Sequence, residues 1–318
     1  MSPLIAVVIP CYRVKTHILD VIERIGPEVS RIYVVDDACP ESSGQYVKQH
    51  CNDPRVRMVQ HAVNQGVGGA VLTGYTQALA DGASVLVKLD GDGQMDPALI
   101  PRFIAPILRG QADYTKGNRF YDLTQLGQMP KLRLFGNAML SLMAKLSTGY
   151  WQLFDINNGF TAVHANAARC LPFDKISQRF FFESDMLFRL NTVRAVVVDI
   201  PMDARYGDEI SNLNIRQIVG EFLVKHFRNF GKRIFYNYFL RDMTVASLEL
   251  VFGLGLLLFG LLYGSMHWMH AVSTGTVTPL GTIMLAALPT MLGLQLLLAF
   301  VAYDVASVPR RPIHPDLA

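Results

Sequence analysis

Up to about residue 213, apolar positions come in short unbroken runs set between polar loops and amphipathic stretches. Residues 4–9 form a mostly β-branched run closed by Pro10. A run without polar alternation predicts a strand buried on both faces, as in a parallel sheet. Similar runs at 31–35 and 84–89, and a short stretch at 55–60, predict three more strands. Helices are expected over 16–25 and from the glycine-rich 66–69 to about 80. Strand, loop and helix recur at about 25 to 30 residues, the mark of right-handed βαβ units. Further along, helices are expected over 97–108, 132–146 and from 181 onward, and strands over 112–116 and 195–200. Residues 154–160 read as a turn entering a strand, and 121–131 as a polar loop. The class is α/β, with a Rossmann-like, mostly parallel sheet.

The pattern then changes twice. Over 213–241, Ile215, Ile218, Val219, Phe222, Phe227, Phe230, Ile234 and Phe235 recur near helical spacing, with Lys225, Arg228, Lys232, Arg233 and Arg241 between them. A basic amphipathic helix rich in aromatics reads as lying on a membrane surface. The alternative is a core helix of the preceding domain. Residues 245–266 carry a single charge, Glu249, and 280–303 carry none. Each run has about 20 residues or more, enough to cross the hydrocarbon core. The connection 267–279 has no Lys or Arg, whereas Lys232, Arg233, Arg241, Arg310 and Arg311 flank the pair. The positive-inside rule therefore puts both flanks in the cytoplasm. The expected organisation is a cytoplasmic catalytic domain over 1–212, membrane-surface helices over 213–243, two transmembrane helices within 244–305 and a cytoplasmic tail over 306–318. Localisation is the cytoplasmic (inner) membrane, with room for a homo-oligomer through the helices.

Composition sharpens this only a little. The 51% hydrophobic content of the 318 residues is concentrated after about Thr244. A net charge of +3 gives no case for nucleic acid, and no basic run is interleaved with aromatics as single-strand binders require. Cys11, Cys39, Cys51 and Cys170 form no CxxC pair and read as reduced thiols. Residues 4–9 are too short for a signal-peptide core.

The chemistry gathers at strand ends. The fourth strand runs into Asp90-Gly91-Asp92-Gly93-Gln94, and the second into Asp36-Asp37. Open α/β sheets bind ligands at the carboxyl ends of their strands. Two carboxylates spaced i, i+2 repel unless a cation lies between them, and oxygen-only ligands suit Mg²⁺ or Mn²⁺, metals that bridge to phosphates. The plain alternative is a polar turn. The Gly66, Gly68, Gly69 loop is not a dinucleotide fingerprint, because Val71 stands where a glycine is needed. It serves either close helix packing or a backbone contact to a bound phosphate or sugar. Glu183 and Asp185 open a helix, where carboxylates also fit the dipole. A crevice with acids at two strand ends suits a nucleotide diphosphate, and Arg119, Arg133 or Arg205 could neutralise a second anion.

These residues resemble the family 2 glycosyltransferases of GT-A fold and, within them, the polyprenyl-phosphate sugar synthases. The resemblance rests on Val8-Ile9-Pro10-Cys11-Tyr12, Val34-Val35-Asp36-Asp37, Asn64-Gln65-Gly66, Asp90-Gly91-Asp92-Gly93-Gln94, Gly117-Asn118-Arg119, Asn158-Gly159-Phe160 and Arg205-Tyr206-Gly207 with Ser211. It implies that Pro10, Tyr12, Asp36, Asp37, Asp90 and Gly91 bind the nucleotide sugar, and that Asp90, Asp92 and Gln94 hold Mg²⁺ or Mn²⁺. It implies catalytic roles for Asp92, Arg119, Arg133 and Arg205, and acceptor binding by Arg133, Arg205 and Ser211. The segment 207–211 is longer and more acidic than the usual family form. The expected reaction is inverting transfer of a hexose from a nucleotide-diphosphate sugar to a polyprenyl (undecaprenyl or dolichyl) phosphate. A phosphate acceptor is already anionic and needs no base; a sugar-hydroxyl acceptor would need one, Glu183 or Asp185. A non-catalytic membrane adaptor with a nucleotide-binding fold is the remaining reading.

Overall fold

The computed structural model describes residues 3–121, 131–203 and 215–317, of which 131–135, 137 and 215–219 by backbone alone. The chain divides into two compact units, one of Met1–Phe230 with Pro309–Ala318 and one of Gly231–Val308.

The first unit is built on a seven-stranded sheet. In chain order its strands are β1 Ile5–Cys11, β2 Arg31–Asp36, β3 Val56–Gln60, β4 Val85–Lys88, β5 Tyr114–Asn118, β6 Thr161–His164 and β7 Val197–Pro201. They lie side by side in the order β3-β2-β1-β4-β6-β5-β7. β1 pairs in parallel with both β2 and β4, and β5 with β7, whereas β6 runs antiparallel to both neighbours. Ala6, Val7, Val8 and Ile9 are wholly buried, so the unbroken apolar run of β1 marks the sheet's centre.

Helices α1 (Ile18–Glu23), α2 (Ser43–His50), α3 (Val67–Ala80) and α4 (Ile100–Leu108) connect the strands, and α5 (Lys131–Thr148), α6 (Ala165–Arg169) and α7 (Phe182–Thr192) follow. One sheet face carries a core of Val7, Ile9, Ile18, Ile22, Val34, Val87, Phe103 and Phe160. The rings of Phe103 and Phe160 stack at 3.9 Å. On α3, Gly74 lies against Val8, where any Cβ would overlap the valine side chain. Burial of this kind of side chain stabilises by about 1.5–3 kcal/mol each, which is why strand order follows the apolar runs.

Several expected elements start elsewhere. β5 begins at Tyr114, not at 112, because the fully buried Asp113 carboxylate is occupied as an acceptor for backbone N–H groups. α2 has no apolar signature; it forms where the Asp36 carboxylate accepts from Gly44 N at 2.8 Å. The amphipathic stretch forms α8, Ile215–Phe235. Its portion in the first unit has two apolar faces. His226 meets Ser147 Oγ at 2.7 Å, and the Phe222 ring packs edge-on against Phe181. Val224 and Phe227, by contrast, are about two-thirds exposed, at 68% and 70%. The tail returns to this unit: His314 N and Nδ1 approach Asp113 Oδ1 at 2.8 and 2.7 Å, and the His314 ring stacks on His164.

In the second unit, a π-helical turn Tyr236–Arg241 leads to α9 (Val245–Thr274) and α10 (Leu280–Ala306). Both helices are long and apolar enough to cross a membrane. They pack closely where Gly260 and Gly293 leave no space for a side chain and Gly253 leaves little. Arg233 grips Asp304 with two N–H groups at 2.6 and 2.9 Å, and Tyr238 donates to the same carboxylate. Breaking such a buried pair from one side costs about 3–5 kcal/mol.

Candidate active site

The site begins where β4 stops. After Lys88 and the buried Leu89, the chain turns through Asp90-Gly91-Asp92-Gly93-Gln94. Two glycines shape this turn. Gly91 lies against Ile18 and Ile9, and a Cβ there would come within 2.8 Å of Ile18 Cδ1. Gly93 has φ +79°, a left-handed conformation that a side chain would strain. Asp92 Oδ1 accepts from Gln94 N at 3.0 Å, and Asp96 caps the helical turn at Pro97 through Ala98 N. The turn reading and the site reading therefore coexist: the turn's own hydrogen bonds present both acids at the strand's carboxyl end.

No motif in the sequence marks Lys88, although a lysine in an otherwise apolar four-residue strand needs a partner. Its ammonium is 1% exposed, 2.9 Å from Asp90 Oδ1 and 3.2 Å from Glu183 Oε1, and it donates to Gly159 O at 3.1 Å. Burial alone would push Lys88 down, but Asp90 and Glu183 win and hold it above its ordinary value, so it stays charged. Burial pushes Glu183 up against the pull of Lys88. Asp90 Oδ1 is buried, with the Lys88 ammonium as its ion-pair partner. Gly159 explains the Asn158-Gly159-Phe160 motif, since a Cβ there would overlap both Asp90 Oδ2 and Lys88 Nζ.

The second acidic pair is built differently. Asp36 accepts from Cys39 N and Gly44 N, each at 2.8 Å. Asp37 accepts from Gln65 N and Gly66 N at 2.8 Å and pairs with His61 Nδ1 at 2.8 Å. Both carboxylates are nearly buried, at 4% and 2% exposure, and they hold the neighbouring loops. The Gly66 loop serves packing: Gly68 abuts Ser177 and Phe182, and Gly69 abuts Gln65. Pro10 is half-buried in β1. Tyr12 is 41% exposed, with the Arg13 guanidinium 5.5 Å from its ring centre.

Arg119 follows β5 and is fixed by Asp155, Nε to Oδ2 at 2.8 Å and Nη2 to Oδ1 at 3.0 Å. Burial would raise Asp155, but the Arg119 guanidinium holds it below the usual carboxylate range. Beside them lies a cavity of about 120 Å³ lined in part by Phe120, Ser141, Phe154, Asn157 and His226. Ser141 Oγ is buried there without a hydrogen-bond partner. A roomier, mostly apolar groove between α9 and α10 contains Gly260, His267, Trp268 and Met291 and carries no carboxylate. Asp185 is committed elsewhere, accepting from Ser177 N at 2.8 Å and Asn229 Nδ2 at 2.9 Å. Arg133 lies in α5, with its side chain outside the described residues, and Arg205 and Ser211 lie outside them altogether. The structure thus brings Asp90 and Glu183 together around Lys88 and separates Asp185 from them.

The described residues contain no cluster of three His, Cys, Asp or Glu side chains able to cage an ion. A Mg²⁺-type ion does not need one, since it is usually held by one or two carboxylates and by substrate phosphates. Asp90 and Asp92, with the Gln94 amide, are a hard-oxygen set of that kind at the strand's carboxyl end, with the Asp90 charge partly offset by Lys88. These residues fit a divalent ion.

An open, mostly parallel sheet with acids at its central strand ends, one antiparallel strand and a trailing apolar helix pair is the GT-A frame of nucleotide-sugar transferases with a membrane-type appendage. The chain belongs to glycosyl transferase family 2, whose family model matches residues 6–172. It is 30% identical over 175 residues to an undecaprenyl-phosphate mannosyltransferase of Micrococcus luteus, covering 54% of this chain and 71% of that one. It is 27% identical over 219 residues to a UDP-N-acetylglucosamine–dolichyl-phosphate N-acetylglucosaminyltransferase of Methanococcus voltae, covering 64% and 87%. The structure of glucosyl-3-phosphoglycerate synthase from Mycobacterium tuberculosis, in complex with Mn²⁺, UDP and glucosyl-3-phosphoglycerate, shares the fold at TM-score 0.53 and 17% identity, over 73% of this chain and 80% of that one.

Proposed function

We propose that this protein transfers a hexose from a nucleotide-diphosphate sugar to a polyprenyl phosphate at the cytoplasmic face of a membrane. The observation that carries the reading is the Asp90–Asp92 turn at the carboxyl end of β4, shaped by Gly91 and Gly93 and with Asp90 paired to the buried Lys88. Relatives named for transfer to undecaprenyl and dolichyl phosphate support the acceptor class. A hexose donor agrees with the mannosyl and N-acetylglucosaminyl transfers in those names.

Asp90, Asp92 and Gln94 would hold Mg²⁺ or Mn²⁺, which when bound supplies positive charge to the departing diphosphate. Tyr12, Pro10, Asp36 and Asp37 shape and stiffen the nucleotide side of the crevice; exposed Tyr12 is the ring free to meet a base. Arg119, locked by Asp155, presents a fixed cation beside the Ser141 cavity, suited to a phosphate oxygen. Arg133, Arg205 and Ser211 are assigned to the acceptor by their sequence motifs alone. The acceptor phosphate attacks the anomeric carbon in line, the bond to the diphosphate breaks, and no proton has to be removed. The commitments of Asp185 to Ser177 and Asn229, and of Glu183 to Lys88, favour an acceptor that needs no base.

The helix pair agrees with membrane residence. The chain leaves the first unit at Phe230 and rejoins it at Pro309, so two crossings would return both flanks to the catalytic side. The basic flanks make that side cytoplasmic. The test is a screen of radiolabelled UDP- and GDP-sugars against undecaprenyl phosphate, with product extracted into organic solvent. One donor should label the lipid; label appearing only on added sugar acceptors would favour hydroxyl transfer with Glu183 as base.

A further inference from the structure

Lys88 has no part in the transfer described above, yet it is the most tightly confined charge in the site. The backbone of Gly159 lies against it, so the ammonium cannot swing aside. Its two carboxylate neighbours arrive from different elements, Asp90 from the end of β4 and Glu183 from the first turn of α7. The fully buried side chain has no path to solvent, at 1% exposure.

A fixed cation touching a metal-binding carboxylate has two opposing effects. It holds the carboxylate in place before any ligand arrives, and it repels a second cation sharing that oxygen. Asp90 Oδ1 lies 2.9 Å from Lys88 Nζ, so its charge is already partly offset before any other cation arrives. A divalent ion entering alone would meet the Lys88 charge at close range. The same ion entering with a diphosphate brings anionic oxygens that outweigh it.

We propose that Lys88 is a positioning residue that makes divalent-metal binding at the Asp90–Asp92 turn conditional on the nucleotide diphosphate. This rests on the reading that Asp90, Asp92 and Gln94 hold the metal. The site then stays preformed, with Lys88 standing for part of the metal's charge, and metal and donor load together. By linkage, the factor by which nucleotide tightens metal binding equals the factor by which metal tightens nucleotide binding. Lys88 sets that factor.

The experiment titrates Mn²⁺ into the full-length protein in detergent micelles, reading free Mn²⁺ by electron paramagnetic resonance, without nucleotide and with saturating UDP or GDP. The native protein should bind Mn²⁺ at least tenfold more tightly with one of the two nucleotides. Lys88→Met should tighten Mn²⁺ binding in the absence of nucleotide and shrink the ratio several-fold. Glu183→Gln, which leaves Lys88 wholly opposed to Asp90, should widen the ratio; it carries the test if Lys88→Met fails to fold. Weaker nucleotide-free Mn²⁺ binding in folded Lys88→Met, or ratios unchanged in both variants, would overturn the proposal while leaving the metal-site reading intact. Absence of Mn²⁺ binding by the native protein with either nucleotide would overturn both.

Discussion

The Arg119 guanidinium meets the Asp155 carboxylate edge to edge, with Nε 2.8 Å from Oδ2 and Nη2 3.0 Å from Oδ1. Asp155 is buried and also accepts from Asn158 Nδ2 at 2.9 Å, so the arginine is anchored to the same segment that supports the Asp90 turn through Gly159. An arginine held this way has already lost its rotamer freedom before a phosphate arrives.

Releasing it should therefore weaken acceptor binding more than donor binding. Asp155→Asn is expected to raise the KM for undecaprenyl phosphate about tenfold, equivalent to about 1.4 kcal/mol. The donor KM should change less than threefold. Steady-state kinetics with each substrate varied in turn checks this, and an equal loss for both substrates would show that Asp155 acts on the fold alone.

Glu183→Gln separates the two acceptor chemistries. With a lipid phosphate as acceptor, the variant should retain measurable transfer, because no proton is abstracted. Turnover falling to background in a folded variant with intact nucleotide binding would instead assign Glu183 as a general base.

Gly159→Ala should be among the most damaging small changes in the site. The added methyl would overlap Asp90 Oδ2 and Lys88 Nζ and come within 3.0 Å of Met95 Cε. Overpacking of this kind costs about 1–3 kcal/mol. A lower melting temperature together with weaker metal–nucleotide binding is the expected pair of results; unchanged values for both would show that the turn adapts freely.

Acid should loosen the first unit. Burial holds His226 at about 4, and burial with the neighbouring His314 holds His164 at about 4. An unfolded histidine titrates near about 6.5. Between these values the unfolded chain binds more protons, so stability is full above about pH 6.5 and falls as pH drops toward 4. His226 is the cleaner probe, because His164 is partly exposed and its effect is screened. Melting curves at pH 7.5 and 5.0 should diverge in the native protein and less so in His226→Gln. Equal divergence in both would remove His226 from the account.

Much of this architecture was readable in the chain. The unbroken run of β1 and the acids after β2 and β4 carry their own period and punctuation, and a sheet buried on both faces leaves few alternatives for them. The two long apolar helices were equally plain. The antiparallel β6 was not, because four residues, Thr161–His164, carry no directional signal. Nor was α2, whose start depends on the Asp36 carboxylate and not on any apolar period. In the site, the residue types at the Asp90 turn announced themselves, while Lys88, Asp155 and His61 did not. Their importance lies in partners 95, 36 and 24 positions away in sequence, which only the folded sheet brings together. Two residues of helix put Asp185 and Glu183 in one turn, but that spacing also points them to different neighbours.

Everything proposed for this chain turns on metal-dependent transfer of a hexose onto a lipid phosphate through the Asp90–Asp92 turn. Its most direct test compares the native chain with Asp92→Ala in one assay, using the radiolabelled donor that the screen selects, undecaprenyl phosphate, and Mg²⁺ or Mn²⁺ with and without EDTA. The account predicts label in the organic phase for the native chain, its loss on chelation, its recovery on adding metal back, and a drop of about a hundredfold or more in Asp92→Ala. Lipid labelling that survives both chelation and Asp92→Ala would contradict it.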